Sequence, residues 1–130
     1  MPAKIPQEGR SLLDGKNFAS LATLMKDGSP QVSPVWVARD GDIVVVNTSI
    51  GRVKERNVTR DPRVAISVFD MNDPYRKLLI RGKVVKMVRK GARESIDELS
   101  IKYTGHKYAG MKPGEHRVVM RIDPIRVNVS

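Results

Sequence analysis

The sequence predicts a mainly β fold, a closed or nearly closed antiparallel barrel of six or seven strands with two or three short helices. Asp-Gly turns at 26–29 and 39–42 join three consecutive segments at hairpin spacing. Residues 43–46 are all β-branched, and residues 63–69 alternate in the two-residue period of a strand with one buried face. Closure into a barrel would protect the edges of such a sheet.

In the N-terminal half, a short helix is predicted at 7–14, where Gly15 is a natural stop. Three strands should follow as an antiparallel meander connected by the Asp-Gly turns, at 18–25, 31–38 and 43–47. A basic helix is then predicted from about residue 52, and Pro62 ends it.

In the C-terminal half, Gly82 lies inside a long predicted strand and indicates a bulge or bend there. Pro124 is expected to separate the last two strands. The predicted elements are a strand at 63–69, a loop at 70–75, the long strand at 77–88, an amphipathic helix at 91–103, a glycine-rich loop at 105–114, and strands at 116–123 and 125–129.

The chain of 130 residues has the size of one domain, spanning 1–130. Its longest apolar run, 43–46, is far shorter than the ~20 residues of a membrane helix. The first ten residues lack the apolar run of a signal peptide, so a soluble, cytoplasmic protein without a membrane partner is expected. Cysteine is absent, and His106 and His116 form no ligand cluster with carboxylates, so no metal is expected.

The net charge of +10 indicates an anionic partner, which could be a nucleic acid, a membrane surface or a small ligand. Residues 76–93 carry many lysines and arginines and no acidic residue. Nucleic-acid binding would favour aromatic stacking platforms beside these cations, but aromatics make up only 5% of the chain and none lies in this segment. A small anionic ligand is therefore favoured, and a basic nucleic-acid-binding barrel is the weaker alternative.

A candidate phosphate pocket follows the β-branched run. Small or hydroxylated residues there can turn the chain and cap a helix, and two cations come next: Thr48, Ser49, Gly51, Arg52 and Lys54. A helix dipole disfavours cations in the first turn by about 0.3–1 kcal/mol each, so an anion bound there would compensate. The alternative is an ordinary capped helix whose basic residues form a solvated face.

Several short motifs between residues 22 and 64 point to a known family. They are Ala22-Thr23-Leu24, Asp27-Gly28-Ser29-Pro30, Ser33-Pro34-Val35-Trp36, Asn47-Thr48, Arg52-Val53-Lys54, Arg56-Asn57 and Arg60-Asp61-Pro62-Arg63-Val64. Together they resemble the pyridoxamine 5'-phosphate oxidase-like (PPOX) split-barrel flavoproteins, and most of all the small group associated with the deazaflavin coenzyme F420. The resemblance covers residues 18–88, and its specific part is 47–64.

The resemblance implies an FMN-binding split barrel that forms a homodimer, with two cofactor sites built from both chains. A small barrel fills its own interior, so a flavin-sized ligand must bind outside it, where a dimer interface supplies a second wall. The partner would supply residues of 71–75 and of the basic strand after it. The cofactor-binding residues implied are Ser33, Pro34, Val35, Trp36, Asn47, Thr48, Ser49, Arg52, Val53, Lys54, Asn57, Tyr75 and Lys77.

Within that set, Thr48, Ser49, Arg52 and Lys54 would hold the phosphate, and Pro34 to Trp36 would line the ring site. Trp36 has a second interpretation, as a core or interface tryptophan. Coenzyme F420 is favoured over FMN because its polyglutamate tail suits a chain of charge +10. True pyridoxamine phosphate oxidases carry a C-terminal segment rich in tryptophan and arginine, which residues 126–130 do not match, so pyridoxal phosphate synthesis is not expected.

The predicted function is that of a flavin- or deazaflavin-dependent oxidoreductase that transfers hydride to a small-molecule substrate. A non-catalytic flavin-binding or storage protein is the alternative. Hydride chemistry belongs to the cofactor, so no catalytic residue is assigned. Tyr75, Lys77, Lys107 and Tyr108 are candidates to cover the open face of the ring or to donate a proton.

Overall fold

The computed structural model describes residues 3–130, which form seven strands and three helices. The helices are α1 (Gln7–Asp14), α2 (Val53–Arg60) and α3 (Ala92–Thr104). The strands are β1 (Ala19–Leu24), β2 (Pro30–Val35), β3 (Ala38–Asp40), β4 (Ile43–Ser49), β5 (Arg63–Asp70), β6 (Asp73–Val88) and β7 (Arg117–Val129). The predicted mainly β class with three short helices is confirmed. None of these helices, within residues 3–130, is long and apolar enough to cross a membrane.

All seven strands belong to one antiparallel sheet in the order β2-β1-β5-β6-β7-β4-β3. The two ends of this order, β2 and β3, are joined in sequence by only Trp36 and Val37. A chain spans at most about 3.3–3.6 Å per residue, so the two edges of the sheet must approach each other. The sheet is therefore rolled into a barrel without a ladder between β2 and β3, and we call the break at Trp36 and Val37 the split.

The barrel interior is filled by aliphatic side chains from the inward face of the strands. The alternation predicted at 63–69 is confirmed, because Val64, Ile66 and Val68 are buried. Leu12 and Leu13 of α1 join the same core and are completely buried. The interior is thus packed, and a ligand of flavin size has to bind on the outside.

Both antiparallel hairpins of the predicted meander are confirmed, since β1 pairs with β2 and β3 with β4, but the continuous middle strand is wrong. The predicted strand at 31–38 breaks at Trp36 and Val37, and its two parts pair with different neighbours, β2 with β1 and β3 with β4. The reason lies in α3, because the side chains of Tyr103 and Lys102 bond the backbone N–H and C=O of Val37. These long-range bonds replace the ladder that a continuous strand would have made.

Two further boundaries differ from the prediction. The loop predicted at 70–75 is a tight turn, because the Asp70 carboxylate accepts the N–H of Asn72 at 2.8 Å and β6 already begins at Asp73. The strand β7 continues through Pro124, which was predicted to interrupt it. There Gly82 pairs with Pro124 and Arg81 with Arg126, so one extra residue of β7 bulges and accommodates the proline.

The bulge predicted at Gly82 is confirmed by this register shift. A Cβ atom on Gly82 would overlap the backbone carbonyl oxygen of Asp123 on β7. We expect Gly82→Ala to lower the free energy of unfolding by about 1–3 kcal/mol, because β6 and β7 must separate to admit the methyl group. Urea unfolding measures this effect, with Lys83→Ala as the exposed neighbouring control. Equal stability of Gly82→Ala and wild type would contradict the close approach of the strands.

Candidate functional site

A surface cleft of about 300 Å³ lies beside the split of the barrel. Its walls come from the end of β2, from β4 and the start of α2, from α3, and from the start of β7. The lining residues are Phe18, Pro34, Val35, Trp36, Asn47, Arg52, Lys54, Ile96, Leu99, Tyr108 and Arg117. The cleft therefore combines a wall of apolar and aromatic side chains with a group of three cations.

The aromatic wall is a stack centred on Tyr103. The ring of Tyr103 lies between Phe18 and Trp36, with 5.4 Å between ring centroids on each side and an interplanar angle of 6° to Trp36. Tyr108 meets Trp36 edge-on at 6.2 Å. Ile96 and Leu99 of α3 are buried and contribute the aliphatic part of the wall. Such a surface can accept one face of a planar ring system.

Trp36 is held in this stack by the same contacts that open the split. The hydroxyl of Tyr103 accepts the N–H of Val37 at 3.2 Å and donates to the carbonyl of Asn17 at 2.6 Å. Lys102 Nζ donates to the carbonyls of Val37 and Leu13, both at 2.6 Å. Burial raises the pKa of Tyr103 and lowers the pKa of Lys102 to about 8. Through these bonds α3 fastens the backbone of Val37 to that of Leu13 and Asn17.

The cationic group consists of Arg52 and Lys54 at the start of α2 and Arg117 at the start of β7. Burial lowers the pKa of Lys54, and the neighbouring charges of Arg52 and Arg117 lower it further. The effect of both guanidinium groups on Lys54 shows that the three cations create a positive potential in which an anion is stabilised. This end of the cleft can therefore bind a phosphate or carboxylate group.

Arg117 is buried and held by a polar network. Its Nε donates to Asn47 Oδ1, and its Nη1 donates to Ser49 Oγ and to Glu115 Oε2, all at 2.8 Å. Ser49 also donates to Glu115, at 2.7 Å. The bond to Arg117, followed by the one to Ser49, lowers the pKa of Glu115 to about 2. Asn47 Nδ2 donates to the carbonyl of Ala92 at 2.8 Å and so connects β4 to α3.

The start of α2 differs from the predicted hydroxyl-capped helix. Arg52 occupies the N-cap position and makes no side-chain capping bond, while Gly51 donates its N–H to Glu55 Oε1 at 2.7 Å. Side chains alternate across β4, so Ser49 faces Arg117 and Thr48 faces the core. The hydroxyl of Thr48 has no hydrogen-bond partner within residues 3–130. The hydroxyls are consequently too far into the strand to cap the helix.

Six of the thirteen residues predicted to bind the cofactor line the cleft: Pro34, Val35, Trp36, Asn47, Arg52 and Lys54. Seven lie outside the lining of the cleft in the same chain: Ser33, Thr48, Ser49, Val53, Asn57, Tyr75 and Lys77.

The seven residues outside the lining have different surroundings. Ser49 lies directly behind Arg117. Asn57 is buried and donates to Thr23 Oγ1 at 3.0 Å, which fastens α2 to β1. Tyr75, with 86% of its surface exposed, and Lys77 lie on β6.

The sequence patterns did not indicate Phe18, Ile96, Leu99 or Arg117 as lining residues, and they indicated Tyr108 only as a possible cover. Arg117 carried a weak signal, since it is a charged residue at the start of an alternating strand. Its contact with Asn47 spans 70 residues of sequence and depends on the pairing of β4 with β7. A sequence pattern could not have located that contact.

Residues 5–130 match the family model described as pyridoxamine 5'-phosphate oxidase. The chain belongs to this family. The predicted family resemblance and the split-barrel fold are thereby confirmed.

Solved structures include several relatives of this family member. An F420 reductase is 32% identical, with a TM-score of 0.84 over 95% of this chain and 98% of its own. A conserved hypothetical protein from Mycobacterium tuberculosis is 23% identical, with a TM-score of 0.76 over 98% of this chain and 85% of its own. General Stress Protein 26 from Bacillus anthracis is 14% identical, with a TM-score of 0.73 over 95% and 91%. The last two similarities concern the fold alone.

The family and the F420 reductase relative support a flavin- or deazaflavin-binding fold with an oxidoreductase type of activity. The residues that line the cleft also fit a flavin or deazaflavin. The aromatic wall, in which Trp36 lines the cleft, suits a planar ring, and the cations suit a phosphate. Among residues 3–130 no group of three or more histidine, aspartate or glutamate side chains is placed to hold a metal ion.

Proposed function

We propose that the protein binds coenzyme F420 in the cleft beside the split and uses it to transfer hydride to or from a small-molecule substrate. The observation that carries the proposal is the combination of the Trp36 wall with the cations Arg52 and Lys54 in one cleft. A relative of 32% identity described as an F420 reductase supports the choice of cofactor. FMN is the alternative cofactor, since it has the same arrangement of a ring and a phosphate.

In this proposal the ring lies against Pro34, Val35 and Trp36, and the phosphate lies between Arg52 and Lys54. The cofactor ring, when bound, supplies the hydride chemistry. The protein contributes orientation, because the clamped stack gives the ring one rigid wall, and it contributes charge, because the cations offset negative charge on the ligand. Tyr108 is the tyrosine among the residues that line the cleft, and it is placed to cover the edge of the cofactor ring.

The preference for F420 over FMN rests on charge. The polyglutamate tail of F420 extends beyond its phosphate, and Arg52 at the cationic end of the cleft is exposed. A chain with a net charge of +10 attracts such an extended polyanion more strongly than it attracts FMN. Binding of F420 should therefore depend more steeply on salt than binding of FMN.

Titration of the protein with F420, FMN and riboflavin tests the proposal. Trp36 is the single tryptophan, so quenching of its fluorescence reports directly on occupancy of the cleft. We expect F420 to bind more tightly than FMN, and FMN more tightly than riboflavin, which lacks the phosphate. Absence of quenching by all three would refute the site.

A turnover assay distinguishes an enzyme from a non-catalytic storage protein. Reduced F420 incubated with a panel of small electron acceptors should be oxidised faster with the protein than without it. Tight binding without any acceptor-dependent oxidation would favour the non-catalytic alternative. Tight binding of nucleic acid that weakens steeply with salt, together with no cofactor binding, would favour the basic nucleic-acid-binding barrel.

We also propose that the protein is a homodimer in which a second copy covers the outer face of the sheet. That face carries exposed apolar side chains, with Val32 63%, Phe69 43% and Leu79 40% exposed. Val32 and Leu79 border a shallow hollow of about 320 Å³ lined in part by small residues of β1 and β5. The tip of the β5–β6 hairpin, with Met71 and Tyr75 exposed, is the part that could reach the partner's cleft.

The expected result is a species of twice 14.5 kDa in sedimentation velocity at micromolar concentration. Leu79→Arg should shift the protein towards the monomer, because it places a charge in the apolar face, and it should weaken cofactor binding as well. Ile101→Lys, a comparable change at a 49% exposed residue of α3, is the control. A wild-type protein that sediments only as a 14.5 kDa species would contradict the dimer.

A further inference from the structure

Arg117 has the features of a prepared ligand for an anion. Its side chain is only 5% exposed, yet it lines the cleft together with Arg52 and Lys54. Its Nε and Nη1 are occupied by Asn47, Ser49 and Glu115. Within residues 3–130 its Nη2 makes no hydrogen bond, so one edge of the guanidinium keeps its donors available.

The orientation of this edge is determined by the fold. Asn47 and Ser49 are on the same face of β4, and Ser49 pairs with Arg117 in the β4–β7 ladder. Tyr108 lies over the guanidinium, with 5.3 Å from the ring centroid to Arg117 Cζ, and covers it from one side. An arginine that is already desolvated and immobilised loses little conformational freedom when it binds an oxyanion.

Glu115 is the internal counter-ion of Arg117. A buried guanidinium without a partner would be strongly unfavourable, and the Glu115 carboxylate, itself 10% exposed, provides that partner. It bonds Nη1 and leaves Nη2 unoccupied. Because one carboxylate faces three cations, the cluster keeps a net positive charge for a ligand.

We propose that Arg117 is a third anion-binding residue of the cleft, which donates from Nη2 to an oxygen of a phosphate group, with Glu115 moderating the positive charge. This inference rests on the proposed phosphate site at Arg52 and Lys54 and extends it to β7. The competing view is that Arg117 only ties β4, β7 and the 105–116 segment together. The two views predict different changes in pyrophosphate affinity when the charge of Glu115 is removed.

The decisive variant is Glu115→Gln, which keeps an acceptor oxygen for Arg117 and Ser49 but removes the negative charge. Its dissociation constant for inorganic pyrophosphate, measured by calorimetry, should fall roughly three- to tenfold, because a like charge close to the anion is gone. Its dissociation constant for FMN should fall in the same direction. Riboflavin, which has no phosphate, should bind as it does to wild type. Glu98→Gln, an exposed carboxylate on α3, is the matched control.

If Arg117 only connects β4, β7 and the 105–116 segment, a different effect of the Glu115 variant is expected. Glu115→Gln would then lower the melting temperature without tightening pyrophosphate binding to the folded protein, and that result would overturn the proposal. Arg117→Lys provides a second test, since it keeps the positive charge but loses the planar guanidinium with its paired N–H donors. We expect it to weaken pyrophosphate binding by roughly tenfold or more. Unchanged affinity in folded Arg117→Lys would also overturn the proposal.

The Arg117 anion site and the proposed cofactor site can each be disproved independently. If F420 and FMN do not bind but Glu115→Gln still tightens pyrophosphate binding, Arg117 is an anion ligand in a protein with another function. If both cofactors bind and the Glu115 and Arg117 variants leave pyrophosphate binding unchanged, the cofactor site stands without Arg117.

Discussion

Replacing Arg52 by alanine is expected to weaken cofactor binding by about ten- to a hundredfold, since a hydrogen bond to a charged group is worth roughly 1.5–3 kcal/mol. The free protein should keep its stability or gain slightly. Arg52 is exposed at the N-cap of α2 and makes no side-chain hydrogen bond or ion pair within residues 3–130. A cation at a helix N-terminus is mildly unfavourable when no anion is bound, so its removal costs the fold nothing.

Cofactor titrations followed by Trp36 fluorescence, together with thermal unfolding of the free proteins, measure both effects. Lys54→Ala should behave like Arg52→Ala in binding. Arg56→Ala is the matched control, because it removes an exposed cation from the same helix that does not line the cleft. A structural arginine would show the reverse pattern, with lost stability and unchanged affinity. Wild-type affinity of both Arg52→Ala and Lys54→Ala for F420 and FMN would place the anion site elsewhere.

The second large effect is expected for Tyr103→Phe, which keeps the stacked ring and removes the hydroxyl. The N–H of Val37 and the carbonyl of Asn17 would each lose a buried partner. Each unsatisfied group costs about 1–3 kcal/mol, so the free energy of unfolding should fall by about 2–6 kcal/mol. Trp36 should also become less ordered, because the backbone next to it loses one of its anchors on α3.

Chemical unfolding measures the stability, and the emission maximum of Trp36 reports on its packing. Tyr75→Phe is the control for the stability measurement alone, since it removes the hydroxyl of a tyrosine that is 86% exposed. We expect folded Tyr103→Phe to bind F420 and FMN more weakly than wild type does. If its stability falls but its affinities are unchanged, Trp36 is a core or interface residue and not a wall of the cofactor site.

The elements that were predicted correctly depend on local chemistry. The burial of Val64, Ile66 and Val68 follows from a two-residue period, and the bend at Gly82 follows from a residue without Cβ inside a strand. The helices α1 and α3 follow from their apolar spacing and from the glycines after them. The sequence motifs at 47–64 also pointed to the family before any contact was known.

The part of the cleft that the sequence located is the part built from neighbouring residues. Arg52 and Lys54 follow a strand within a few positions, so their proximity to Asn47 is a local property of the chain. Arg117 is different, because its position beside Asn47 depends on a ladder between strands 70 residues apart. The hydroxyl cap predicted for α2 failed for a similar reason, since the Ser49 hydroxyl donates to Glu115 and accepts from Arg117.

Periodicity, turn chemistry and motifs act over a few residues, so the strand and helix content, the family and the cationic start of α2 could be predicted from the chain alone. The position of the split depends on tertiary contacts instead. The segment at 31–38 has the local pattern of one strand, but Tyr103 and Lys102 bond Val37 from 66 and 65 residues away. Backbone groups pair with whichever partner the whole fold brings near, and this pairing set the split, the position of Trp36 and the cleft beside it.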